Sequence, residues 1–116
     1  MIRVTFYRGA EGRLSGFWSR GHALPERMIT SDETFDLICS AVSALTQTGV
    51  NALEAVAGIT PVTVVRDGEL RSKLPADVRT EEAERAETVL RTIRVGLEGI
   101  AQVYPGFVQI DEVTDS

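Results

Sequence analysis

The chain holds one cysteine and one histidine in 116 residues. A lone cysteine excludes an internal disulfide framework, so nothing points to an oxidising compartment. One Cys and one His cannot complete a four-ligand structural zinc site without carboxylates or a second chain. Basic charge is also scarce. Twelve Lys and Arg stand against seventeen Asp and Glu, for a net charge of −5. A reader of phosphate backbones needs a basic surface, so direct nucleic-acid binding is not expected, while a basic protein partner is permitted. No apolar run approaches the ~20 residues that cross a bilayer, so no membrane role is expected. The opening Met1-Ile2-Arg3-Val4-Thr5 alternates polar and apolar residues and lacks a signal-peptide core. The expected location is the cytoplasm. There is no internal repeat and no low-complexity stretch.

Hydrophobic residues at 43% and charged residues at 25% are ordinary for a globular chain, and the length fits a single domain over residues 1–116. Ile2, Val4 and Phe6 alternate with Arg3, Thr5 and Tyr7, which predicts a half-buried strand. Gly9-Ala10-Glu11-Gly12 is a turn, and Leu14 to Arg20 returns as the second strand. Gly16 inside it predicts a bulge or a close backbone approach. Pro25 keeps Leu24 before it out of helical geometry, and residues 23 to 31 read as a loop. A long helix then runs to about Ala57, with Ile38, Val42, Leu45, Val50, Leu53 and Val56 as its apolar side. Gly49 in its middle suggests close packing. Ile59 to Val65 reads as a strand, Arg66-Asp67-Gly68-Glu69 as a hairpin turn, and Leu70 to Leu74 as a short polar strand near an edge.

Thr80 and the acidic residues after it open a second helix, with an apolar stripe at Ala86, Val89, Leu90, Ile93, Leu97 and Ile100. Tyr104-Pro105-Gly106 stops it, and a last strand follows from Phe107. The order is ββαββαβ. It predicts an α+β two-layer sandwich, a mostly antiparallel sheet with two helices packed on one face.

The single cysteine and histidine carry the chemical interest. His22 stands in Gly21-His22-Ala23, just after the second strand, and Cys39 stands near the start of the first helix. A thiol becomes a nucleophile when a base or a positive field helps form its thiolate. With Asp36 as N-cap, Cys39 would be the third helical residue, close to the free amides and positive end of the helix. With a start at Thr30 or Ser31, where Thr30-x-x-Glu33 fits a capping box, it would lie two turns in and lose that benefit. The sequence leaves both starts open. Asp36, Cys39, Ser40, Ser43 and Thr46-Gln47 share one polar stripe of the helix. An intracellular Cys on a helix is commonly an inert small hydrophobe, but a polar stripe is an unusual place for one.

Gly21-His22-Ala23, followed by Asp36-Leu37-Ile38-Cys39-Ser40-Ala41-Val42-Ser43-Ala44-Leu45 and Asn51-Ala52-Leu53, resembles the ribosomal-processing cysteine protease (Prp) family. The resemblance covers nearly the whole chain. It implies a cytoplasmic, homodimeric bacterial endopeptidase that removes an apolar N-terminal extension from the large-subunit ribosomal protein numbered twenty-seven. It implies Cys39 as nucleophile, His22 as general base, and Asp36 and Ser43 as supporting residues, with no metal or cofactor. The loop from Ala23 to Phe35 is longer than the family's, and Ser40 stands where the family more often has alanine. Rival readings are a non-catalytic ribosomal-protein-binding module and a thiol redox sensor. A homodimer is expected also from Phe35, Leu37 and Val50, apolar residues beyond what one sheet face needs.

Overall fold

A computed structural model describes residues 1–21 and 33–115, with only the backbone described for 33–36. The elements run β1 (Ile2–Arg8), β2 (Leu14–Arg20), α1 (Glu33–Ala55), β3 (Val62–Arg66), β4 (Glu69–Lys73), α2 (Thr80–Val103) and β5 (Val108–Thr114). The five strands form one sheet in the order β3-β4-β2-β1-β5. Three of its ladders are antiparallel, and β5 joins β1 in parallel. This is the α+β sandwich expected from the pattern of apolar residues, with the parallel pairing as an addition.

Alternation decides which face the helices cover. Ile2, Val4 and Phe6 point to one side of β1 and are buried, and Phe17 of β2, paired with Phe6, joins them. The two rings lie 6.1 Å apart, tilted at 45°. Val42 and Leu53 of α1 and the stripe Ala86, Val89, Leu90, Ile93 and Leu97 of α2 close the core over this side. A side chain on Gly49 would press on the Phe17 ring and on Ile93, so α1 approaches the sheet through that glycine. The other face of the sheet is polar. There the Arg20 and Arg71 guanidiniums sit 3.7 and 4.3 Å from the centre of the Trp18 ring, and Lys73 lies over Tyr7. The expected irregularity at Gly16 is present. The β1–β2 register slips between Tyr7↔Gly16 and Arg8↔Leu14, and a Cβ on Gly16 would run into the Ser72 carbonyl.

Three expectations need correction. α1 begins at Glu33, not Asp36. No glycine or proline separates the two positions, so nothing stops the helix from propagating back. Val56 lies past the end of α1 and is exposed rather than part of its apolar side. The polar β4 does lie near an edge, paired on both sides, with β3 outside it as one edge strand and β5 as the other. β4 turns Leu70 and Ser72 toward the helices, and the Ser72 hydroxyl is satisfied by Thr63 Oγ1 at 3.0 Å. α2 is capped from Arg79 rather than Thr80, with the Arg79 N–H donating to Glu82 Oε1 at 3.1 Å. Among the described residues, no helix is long and apolar enough to cross a membrane.

Candidate active site

The chain leaves the sheet at Gly21, whose φ of 95° favours glycine. Any Cβ there would collide with the Met1 carbonyl oxygen. The Gly21 N–H donates to the Gly68 carbonyl at 3.0 Å, which ties the end of β2 to the turn between β3 and β4. His22 comes one peptide bond later. It lies outside the described residues, as do the loop residues that follow it up to Asp32.

Below this point, α1 and the β3–β4 hairpin enclose a groove of about 500 Å³. One wall is helical: Cys39, Val42, Ser43, Thr46 and Gln47, residues one helical turn apart or adjacent on one face. The other wall is the hairpin, with Val65, Arg66, Glu69 and Leu70 around Gly68. Ile2, Ser19 and Gly21 close the end. Cys39 is half-buried, packing on the core while it faces the groove. The buried Thr46 hydroxyl is spent on its own helix, donating to the Val42 carbonyl at 3.0 Å or that of Ser43 at 3.2 Å. Ser43 is exposed and its hydroxyl has no partner among the described residues. Glu69 is held by the Trp18 indole N–H at 2.9 Å.

Of the four residues singled out in the sequence, the structure brings Cys39 and Ser43 together on the groove wall. His22 and the Asp36 side chain fall outside the described residues, as does the Thr30–Glu33 capping box. The placement of Cys39 as third helical residue does not hold. It is the seventh, roughly 9 Å along the axis from Glu33. Free amides and the dipole act within the first turn, so Cys39 lies beyond their reach. The hairpin wall was not foreseen as part of a site. Its Asp67-Gly68 turn signalled a hairpin, but no local pattern says where a hairpin tip will fold. Among the described residues, no group of three or more His, Cys, Asp or Glu side chains is placed to hold a metal ion.

Residues 1–109 match the model of the family described as cysteine protease Prp. The chain belongs to this family. Its fold is similar to that of SMU.848 from Streptococcus mutans, at 28% identity over 99% of this chain and 96% of that one, with a TM-score of 0.80. It is also similar to the essential ribosomal processing protease Prp of S. aureus. The complex of that protein with a covalently linked product peptide matches at 22% identity and a TM-score of 0.77. Its complex with a substrate peptide matches at 20% and 0.78. Each of these two covers 97% of this chain and 100% of the other. No curated protein matches the chain.

Proposed function

We propose that this member of the Prp family is a cytoplasmic cysteine endopeptidase that trims an apolar N-terminal extension from the large-subunit ribosomal protein numbered twenty-seven. The observation that carries the reading is the placement of the only thiol. Cys39 opens onto a groove whose rim includes Gly21, the residue bonded to the only histidine.

In the proposed reaction the Cys39 thiolate attacks the scissile carbonyl while His22 takes the thiol proton. The tetrahedral intermediate collapses to a thioester as His22 donates that proton to the leaving amine. Water, with His22 again as base, then attacks the thioester carbonyl and releases the acid and the thiol. The first amides of α1 are too distant from Cys39 to serve as an oxyanion site. The Ser43 hydroxyl, one turn along from Cys39, is a donor on that wall which no described residue occupies. Asp36 acts at the helix start. No metal or cofactor takes part. The protein works as a homodimer. Val50 packs on the core and is not available to an interface, but Leu37 is 68% exposed, as a contact residue would be in the free chain.

The test is a gel assay with the extended ribosomal protein. Cys39→Ala and His22→Ala each lower cleavage by more than about a thousandfold, because the two act as a unit, with circular dichroism unchanged. Cys39→Ser is nearly as inactive. Wild-type cutting by Cys39→Ala sinks the protease reading and leaves the binding module in its place.

A further inference from the structure

The net charge of −5 is a total over two unlike sides of the molecule. On the helix side, arginines such as Arg8, Arg79 and Arg94 stand beside carboxylates. The open face of the sheet differs. There Arg3 of β1 is directly opposite Arg20 of β2, and Arg71 of β4 is opposite Trp18, diagonal to Arg20. Directly opposed residues lie about 5 Å apart and diagonal ones about 7–8 Å. Among the described residues, none of these three guanidiniums has a carboxylate partner. Arg3 donates to Gln109 Oε1 at 3.2 Å and Arg20 to Thr5 Oγ1 at 3.0 Å, while the buried Nε of Arg71 has no acceptor. The acids on this face are engaged elsewhere or set apart. Asp115 holds Lys73, Glu69 accepts from the Trp18 indole, and Asp111 stands opposite Thr5 on β5. Like charges opposed across a ladder are destabilising, and so is a buried donor without an acceptor. Both costs fall when an anion lies on the face.

We propose that this face binds single-stranded RNA, with its phosphates on Arg3, Arg20 and Arg71. The planar fork of a guanidinium suits phosphate oxygens. The three arginines line none of the larger grooves, so a small anion would find no enclosing site there. A chain of phosphates needs no enclosure, only cations spaced along its path. A double helix is read by an element narrow enough to enter a groove, and the middle of a five-stranded sheet is too broad for that. Unpaired bases, by contrast, stack on aromatic rings and on guanidinium planes. Tyr7 and the stack of Arg20, Trp18 and Arg71 offer both kinds of surface. Contact with the Trp18 ring also holds two of the guanidiniums in place before binding, so less side-chain freedom is lost. The expectation of no nucleic-acid contact came from the total charge, and a total does not locate charge. The inference uses neither Cys39 nor its groove, so it stands apart from the protease reading.

The test is fluorescence anisotropy of a labelled single-stranded RNA of mixed sequence, about twelve nucleotides long, titrated with the full chain. With three phosphates neutralised, log Kd rises with log salt at a slope of about 2, so binding weakens about 20-fold between 50 and 200 mM salt. Arg71→Gln lowers the slope by about 0.7 and weakens binding about 5–10-fold at 50 mM. Arg3→Gln, Arg20→Gln and Arg71→Gln combined leave no rise in anisotropy. Circular dichroism checks folding, and Arg71→Gln alone carries the test where the triple variant unfolds. Arg91→Gln removes the same charge from an exposed position of α2, away from this face, and leaves binding within about twofold. Absence of binding by the unmodified protein at 50 mM salt overturns the inference. So does a loss on Arg91→Gln as large as that on Arg71→Gln. Displacement of the RNA by poly-glutamate as readily as by unlabelled RNA also overturns it, and makes an acidic protein the occupant instead.

Discussion

Gly21→Ala probes the joint between the sheet and the groove. At a φ of 95° an alanine costs about 1–2 kcal/mol through its Cβ alone. The same Cβ meets the Met1 carbonyl oxygen, a backbone atom, and lies 3.8 Å from the Ile2 Cα. Relief requires the start of β1 to move. Ile2 is 4% exposed and its N–H donates to the Phe107 carbonyl at 2.8 Å. Weakening that hydrogen bond costs about 1 kcal/mol, and partly uncovering the isoleucine about 1 kcal/mol more. The expected loss is about 3–4 kcal/mol in urea unfolding. Gly58→Ala is the control, because Gly58 also has a positive φ, 73°, but its Cβ would meet nothing within 4 Å. It loses only the conformational part, about 1–2 kcal/mol. Equal losses for the two variants would refute the steric argument. At temperatures where Gly21→Ala is still folded, cleavage falls as well, because Gly21 both lines the groove and leads into His22.

Leu53→Ala, at a site with no exposed surface, lowers stability by about 2–5 kcal/mol in the same unfolding assay. Glu112 accepts from Arg8 at 2.8 Å and from Arg94 at 2.6 Å, and these bonds hold its carboxyl at about 2, below the ordinary 4.5. Its contribution is therefore complete above about pH 4.5 and is lost as the pH falls toward 2. On this solvent-screened site it amounts to less than about 1 kcal/mol, and Glu112→Gln should flatten that part of the pH–stability curve. Asp36→Asn keeps far more cleavage than Cys39→Ala, and loses about 0.3–1 kcal/mol of helix stabilisation by the first-turn charge. His22→Ala slows alkylation of Cys39 by iodoacetamide at neutral pH. An unchanged rate would show that the thiol is activated without the histidine.

The fold was legible where one period dominated. Ile2, Val4 and Phe6 alternate cleanly, and the α2 stripe recurs at three and four, so both elements and their buried faces followed from spacing. The parallel β1–β5 ladder was not legible, because strand order depends on the packing of both helices and not on any one segment. β3 misled for a related reason. The segment reads as a strand from Ile59, but the strand starts at Val62 and all of its residues are exposed, since burial is set by what arrives from elsewhere in the chain. In the site, Cys39 was visible as the only thiol in a polar stripe. The hairpin opposite it was invisible, since the link between Gly21 and Gly68 is one backbone hydrogen bond with no side-chain signature.

The start of α1 at Glu33 changes the division of labour in the proposed chemistry. A third-position cysteine would draw on the helix itself, with the histidine needed only for proton transfer. Cys39 at the seventh position has a backbone N–H already committed to the helical ladder, and the dipole's effect is spent within the first turn. Its half-buried setting against the core adds no positive charge. Among the described residues, the one cationic side chain on the groove wall is Arg66, across the groove on the hairpin. Thiolate formation in the proposed enzyme therefore falls to His22. That makes the Gly21–Gly68 tie a catalytic concern as well as a structural one, because it anchors the chain one bond before the base.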